Sequence, residues 1–379
     1  MYKLSMLIFI TVLFGCREKF IPPFDPPAAG YLVVEGNINS GDTTDIILTR
    51  SGKLTDQTYA RETLAQLRIE GTDNSVYTLV EQSAGRYRIL LPTLTNGGQY
   101  RLRINTRDGK EYLSDYVECK QTPEIDSLSW QREKEDGTQV YVNAHDDNNS
   151  SMYYKWEYHE TWEFHANYQP NIAYSPATPN PPGIIRIDPD TSIYKCWNDS
   201  YSNQILIGTT VNLTRDRVYL PLAFTPRASV KMSVLYSIEV KQNVLSKQAY
   251  EFYEKLKKNT ETTGSIFDAQ PSNINGNIHC TTNPEETVIG FINVSTLSKK
   301  RLFIYNSQLP GWRYSDPCYI YDTRNAADSI REVFNSGAIL LIPMEEDMFG
   351  NIVRFYYTYE RHCMDCRVRG YNRRPSYWP

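Results

Sequence analysis

The sequence predicts a mainly β protein: tandem immunoglobulin-like or fibronectin-like β-sandwich domains, with one or two short helices in the C-terminal part. Three observations carry that expectation. Apolar and polar residues alternate with period two, as in QYRLRINT, where Tyr100, Leu102 and Ile104 share one face and Arg101, Arg103 and Asn105 the other. Half-buried antiparallel strands read this way. Turn residues punctuate the alternation at short intervals, among them Asn39-Ser40-Gly41-Asp42, Gly71-Thr72-Asp73-Asn74, Asn96-Gly97-Gly98 and Asp108-Gly109, and such spacing suits a sandwich. Helical spacing of apolar residues stands out only near 246–259 and 325–335.

The chain opens MYKLSMLIFITVLFGC. Lys3 is a positive start, and the apolar run of eleven residues from Leu4 to Phe14 is too short to cross ~30 Å of hydrocarbon as a helix. A charged start, a short apolar core and a small residue at the cut describe an export signal, here residues 1–15. Leu-Phe-Gly-Cys resembles a bacterial lipobox. Cys16 is therefore the expected lipidation site and the expected link to the lipid bilayer, since acyl chains on one cysteine anchor a protein when more than one is present. Residues 16–30 form the tether. Arg17, Glu18 and Lys19 lead into Ile-Pro-Pro-Phe-Asp-Pro-Pro, whose prolines favour an extended spacer of ~3 Å per residue.

Residues 31–120 are expected to form the N-terminal Ig-like sandwich, with strands at 31–38, 44–50, 65–70, 76–81, 85–91, 99–106 and 111–117. Thr122-Pro123-Glu124-Ile125-Asp126 reads as a junction. A second β-rich domain then runs through 121–379. Its strands are expected at 125–131, 138–144, 152–164, 204–212, 216–221, 229–242, 287–295, 300–306, 338–343 and 351–361. The segment MYYKWEYHETWEF is aromatic on both faces, so it is either covered on both sides or continues into a ligand or partner surface. Asp146-Asp147-Asn148-Asn149 offers oxygen ligands, but the distal Glu of a calcium loop is missing, and a turn is the expectation.

Residues 165–203 lack periodicity and carry Pro170, Pro176, Pro179, Pro181, Pro182 and Pro189. A loop of this length is usually functional or mobile, and it is the first choice for a recognition surface. With its neighbours it supplies the candidate ligand surface: Trp156, Tyr158, Trp162, Tyr168, Tyr174 and Trp197. Flat aromatic faces with polar tips suit sugar stacking and wet interfaces, so a peptide or glycan ligand is expected. Further on, Ala249, Phe252, Tyr253 and Leu256 predict an amphipathic helix over 246–259, capped by Ser246. Ala326, Ile330, Val333 and Phe334 predict a shorter one over 325–335.

A net charge of −4 without a basic block argues against nucleic-acid binding. Beyond Cys16, six cysteines remain. In an exported chain they suggest disulfides, with Cys196, Cys280, Cys318, Cys363 and Cys366 the candidates, pairing open, and Cys119 unassigned. Zinc held by Cys363, Cys366, His362, Cys280 and His279 has the right donor types but is disfavoured in an oxidising compartment. No metal or other cofactor is expected. No G-x-S-x-G, Walker loop, G-x-G-x-x-G or H-E-x-x-H occurs, so no reaction is indicated.

Five segments resemble one family: AGYLVVEGNIN, TPEIDSLSW, YYKWEYHETWEF, SIFDAQPSNINGNIHCTTNPEETVIGFINVS and the terminal FYYTYERHCMDCRVRGYNRRPSYWP. By these the chain is similar to the domain-of-unknown-function 4249 family of Bacteroidota lipoproteins. The resemblance implies a place among surface lipoproteins that accompany TonB-dependent outer-membrane barrels. It carries no catalytic residue. The expected role is therefore a non-enzymatic, lipid-anchored binding or capping partner at the outer membrane, facing the cell exterior. A structural subunit of an outer-membrane assembly complex is the alternative, and a hydrolase of glycans or peptides a second one. Arg and aromatic residues dominate interface hot spots, which makes Arg367, Arg369, Arg373, Arg374, Tyr377 and Trp378 the candidate partner contact. The alternative is that the same block seals the chain's own second domain, stapled by its cysteines.

Overall fold

The structure, a computed structural model, describes residues 30–52, 59–133, 137–175, 183–261, 276–314 and 317–379. The export signal, Cys16, most of the tether, the prolines at 176, 179, 181 and 182, and residues 262–275 lie outside the described residues.

Alternation becomes strand along most of the described residues between 30 and 120. The elements are β1 Leu32–Gly36, β2 Ile38–Ser40, β3 Thr43–Arg50, β4 Gln66–Gly71, β5 Val76–Ser83, β6 Arg86–Leu90, β7 Gln99–Asn105, β8 Glu111–Ser114 and β9 Val117–Glu118. In β3 every second residue is buried: Thr44, Ile46, Leu48 and Arg50. Ile46 and Leu48 join Leu32, Leu67, Ile69, Leu102 and Ile104 in one core. β5 pairs antiparallel with β4 and with β6, so one continuous strand links the two halves of this unit. Turns fall where glycine permits them: Gly41, with φ +74°, closes β2 onto β3, a conformation that costs other L-residues.

The second unit contains β10 Ile125–Glu133, β11 Gly137–Asp146, β12 Tyr153–His165, β13 Ile172–Ser175, β14 Gly183–Arg186, β15 Lys195–Tyr201, β16 Leu206–Thr209, β17 Asp216–Pro226 and β18 Leu235–Val244. Helix α1 Lys247–Glu261 follows, then β19 Ile278–Cys280, β20 Val288–Gly290, β21 Val294–Thr296 and β22 Ser298–Tyr305. One sheet runs β10-β11-β17 and another β15-β12-β18-β22, with β16 added to β12. Val140, Val142, Trp156, Tyr236 and Ile238 pack between them. A smaller layer closes the chain: β23 Tyr321–Arg324, α2 Ala327–Asn335, β24 Ile339–Glu346 and β25 Ile352–Thr358, packed through Phe355, Ile330 and Val333 onto the β13–β14 hairpin.

The described residues are thus mainly β, with two α-helices among them. In α1, the Ser246 hydroxyl accepts from the Ala249 N–H at 3.0 Å, and Ala249, Phe252 and Tyr253 are buried with Phe291, as the sequence predicts. In α2, Ile330 and Val333 are buried, but Ala326 is the exposed cap and Phe334 is half-exposed. Asp146 makes a turn: its carboxylate accepts the N–H groups of Asn148, Ser150 and Ser151 at 2.9–3.0 Å.

Two expectations need correction. Residues 165–203 are not an aperiodic insert, because β13, β14 and β15 lie within them. The sequence of β15, KCWNDSY, shows no alternation; seven residues of antiparallel pairing to β12 hold it extended. The boundary at 120 also fails to separate the sheets. β19 pairs with β8 and β20 runs parallel to β1, so residues 278–290 complete the first unit. β21 runs parallel to β2, which fastens the two units together.

Candidate functional site

The return of β20 to β1 creates a cleft. β1 and β20 form one wall, and β12 and α1 the other. It encloses about 490 Å³, lined by Glu35, Lys155, Tyr158, His159, Tyr201, Lys241, Phe252 and Tyr253 among others. Residues 155–159 of β12 line it consecutively, where pairing with β16 ends at Trp156 and pairing with β15 begins at His159. The Lys155 ammonium lies 2.7 Å from Glu157 Oε1 and 4.6 Å from the centre of the Tyr253 ring. Burial opposes its charge, but Tyr253 and Glu157 outweigh that and raise its pKa. His159 and Tyr201 stack with ring centres 4.3 Å apart and planes 10° off parallel. The Tyr201 ring is 69% exposed, so a flat aromatic face stands open at the rim.

Past Tyr201, Glu157 and Lys241 the cleft continues into a second depression of about 610 Å³. There Asp45 holds Arg86 at 3.1 Å and Arg88 at 2.7 Å, and Lys299 holds Asp42 at 2.6 Å. Together these make a groove with apolar and aromatic walls at one end and paired charges at the other. That arrangement suits a ligand with a flat apolar face and polar edges.

Of the six aromatic residues predicted as a ligand surface, Trp156 and Tyr158 reach this cleft. Trp156 is only 1% exposed, and its indole N–H donates to Gln242 Oε1 at 2.8 Å. Trp162 and Trp197 are core residues. Tyr168 donates its N–H to the Cys363 carbonyl, and Tyr174 meets Phe334 with ring centres 4.6 Å apart and planes tilted by 42°. For the three tryptophans the expectation is corrected on physical grounds: indole rings bury a large apolar area, and sheet interiors gain most by enclosing them, whereas Tyr158, Tyr168 and Tyr174 are half-buried. Lys155, Glu157, His159, Tyr201 and Lys241 were missed. The signal available was Lys155-x-Glu157, a charged pair two residues apart within an aromatic strand.

The terminal block packs on its own chain. Trp378 is buried against Trp197 and Phe303, and its indole N–H donates to Glu163 Oε2 at 2.8 Å. Tyr377 lies under the Arg301 guanidinium at 3.7 Å and shares a 2.8 Å hydrogen bond with Thr161. Arg369 sits 5.4 Å above the Phe164 ring and donates to the Tyr314 hydroxyl. Arg367 pairs with Asp365 at 2.9 Å, and Arg374 donates to the Trp378 carbonyl. The block therefore buries Trp378 on its own chain, while Arg367, Arg373, Arg374 and Tyr377 stay exposed.

Two disulfides form, Cys196–Cys366 and Cys318–Cys363. Cys280 is corrected to a buried free thiol, as is the unassigned Cys119, because both point into the first unit's core. The zinc set of the sequence is dispersed with them.

A family model described as "Domain of unknown function (DUF4249)" matches residues 17–301. The chain belongs to the DUF4249 family. The match spans both walls of the cleft and stops within β22, so β23–β25, α2 and the terminal block of this DUF4249 protein lie beyond it. A search of curated protein sequences finds no match. Among solved structures, a chitinase, ChiA74 from Bacillus thuringiensis, is similar at 9% identity over 54% of this chain and 30% of its own, with a TM-score of 0.15; no argument rests on it. Among the described residues of the DUF4249 chain, no helix is long and apolar enough to cross a membrane.

Proposed function

We propose that this DUF4249 protein is a surface-exposed outer-membrane lipoprotein, anchored at Cys16, that binds a peptide or glycan without transforming it and serves as the binding or capping partner of a TonB-dependent transporter. The observation that carries the reading is the cleft between the units, with the His159–Tyr201 stack open at its rim. Three further observations support it. Residues 1–16 have the order of an export signal with a lipobox. The family match begins at residue 17, next to that cysteine. Two disulfides accord with an oxidising compartment.

Affinity purification of the lipidated protein from native membranes tests the partner. Co-purification of a TonB-dependent barrel is expected; recovery of an outer-membrane assembly machine favours the structural-subunit reading instead. Mass spectrometry of the native amino terminus should find a diacylated or triacylated Cys16, and an unmodified terminus overturns the anchor. Glycan and peptide arrays probed with wild-type and Tyr201→Ala protein test the cleft. Binding that Tyr201→Ala leaves untouched places the ligand elsewhere, and turnover of a bound glycan or peptide supports the hydrolase.

A further inference from the structure

We propose that Cys318, Cys363, Glu360 and His362 form a thiol-gated metal site, closed as a disulfide and able to take zinc once that disulfide is reduced. This stands apart from the ligand reading above and uses none of the cleft residues.

β25 ends at Thr358, and the chain then turns through Glu360 into a single 3-10 turn, Arg361–Cys363. That turn brings a carboxylate, an imidazole and a sulfur to one point. Cys318 arrives from before β23. The donor atoms of Cys318, Glu360 and Cys363 all lie within 4.8 Å of one another. Glu360 Oε2 stands 3.5 Å from Cys363 Sγ, and His362 Nε2 stands 4.0 Å from that sulfur and 3.8 Å from Glu360 Oε2. Zinc binds N, O and S at ~2.0–2.3 Å in a tetrahedron, whose neighbouring ligand atoms are then ~3.3–3.8 Å apart. The Glu360–Cys363, His362–Cys363 and Glu360–His362 edges lie within a few tenths of an ångström of that range; the two sulfurs part from bonding distance on reduction, and His362, outside the 4.8 Å set, must swing toward Cys318.

The surroundings favour the same reading. The Tyr319 N–H donates to Glu360 Oε2 at 3.0 Å, and the Thr358 hydroxyl, which donates to the Tyr319 carbonyl at 2.8 Å, stands 3.9 Å from Cys363 Sγ. Groups in such positions orient metal ligands. Cys363 is fully buried, while Glu360 and His362 keep partial access to solvent, which leaves an entry path. His362 Nε2 also lies 3.3 Å from the Pro317 carbonyl, a contact it must give up to ligate. Cys366 lies outside the set: its bridge to Cys196 is sealed in the second unit's core, with both residues buried, whereas Cys318 is only half-buried and open to a reductant.

The gate is thiol–disulfide exchange. A dithiol reductant breaks the Cys318–Cys363 bond; its own two sulfurs join, and its two electrons and two protons pass to the cysteines. Zinc then binds the two sulfurs as thiolates and releases both protons to solvent.

Cobalt serves as the spectroscopic probe. The full chain in detergent is reduced with dithiothreitol, freed of reductant without air, and titrated with Co²⁺. The expected result is one cobalt per chain, with a thiolate-to-cobalt charge-transfer band and the visible bands of a four-coordinate ion, both lost on adding zinc. His362→Ala and Glu360→Gln, whose side chains are partly exposed, should fold and weaken binding by about tenfold or more. Cys318→Ser should abolish the charge-transfer band, whereas Cys280→Ser should keep it. The proposal is overturned if the unreduced protein binds equally, if reduction removes the native circular dichroism, if no band appears, or if the band survives Cys318→Ser.

Discussion

The indole N–H of Trp378 donates to Glu163 Oε2 at 2.8 Å, so the second-last residue of the chain is bonded near the end of β12. Trp197 and Phe303 meet the same ring edge-on, at 6.4 and 5.7 Å. The Cys196–Cys366 bridge holds the start of the tail to β15, and Tyr371 exchanges two 2.8 Å backbone hydrogen bonds with Trp197. The tail is a seal over one face of the longest strand. Trp378→Ala should therefore cost about 3 kcal/mol, read as a lower denaturant midpoint. Deleting 367–379 should yield insoluble protein, and a stable, soluble truncated body contradicts the seal.

Glu163 also sets an acid limit. Burial pushes its carboxyl up, but hydrogen bonds from His165, Trp378 and Lys195 overcome that and hold it at about 2, against an ordinary 4.5. Asp365 is likewise held at about 2, by Arg367 first and by Arg361. A depressed carboxyl contributes stability above its unfolded pKa and loses it as pH falls through the folded one. Stability should thus decline between pH ~4.5 and ~2, by roughly 3 kcal/mol from Glu163 alone. Chemical unfolding across that range checks it: Glu163→Gln should flatten this decline, and an unchanged slope rejects the assignment.

Glu286 is the clasp that keeps residues 278–290 in the first unit. Its carboxylate accepts from the Tyr112 hydroxyl and the Lys110 ammonium at 2.6 Å each and from Arg50 at 3.4 Å. Its side chain is buried. Glu286→Ala leaves a buried guanidinium with one partner fewer and should cost about 3 kcal/mol. Hydrogen exchange should speed up in β19 and β20 first, before β3 or β7. Uniform loss of protection throughout the unit would show that the clasp is not local.

The thiols give a direct count. Unfolded without reductant, the lipidated chain should expose two, Cys119 and Cys280, and native protein should expose neither to alkylation. Cys196→Ser opens a 170-residue loop and should cost about 4 kcal/mol. Four reactive thiols in the unfolded, unreduced chain would contradict one of the bridges.

Sequence periodicity by itself located nearly every strand of the first unit and both helices. The reason is local: alternation in 99–106 and 3.6-residue spacing in 246–259 record which side of an element is buried, and that side is fixed within a few residues. It does not record what does the burying. Trp156, Trp162 and Trp197 had the composition of a ligand platform until β18, β22 and the tail were laid over them. β15 has no pattern of its own and is extended because β12 lies beside it. β19 and β20 are three residues each, too short to show a period, and they belong to the first unit through partners more than 150 residues earlier. Cysteine pairing and the cleft follow from those long-range choices, which depend on chain closure and packing over the whole molecule.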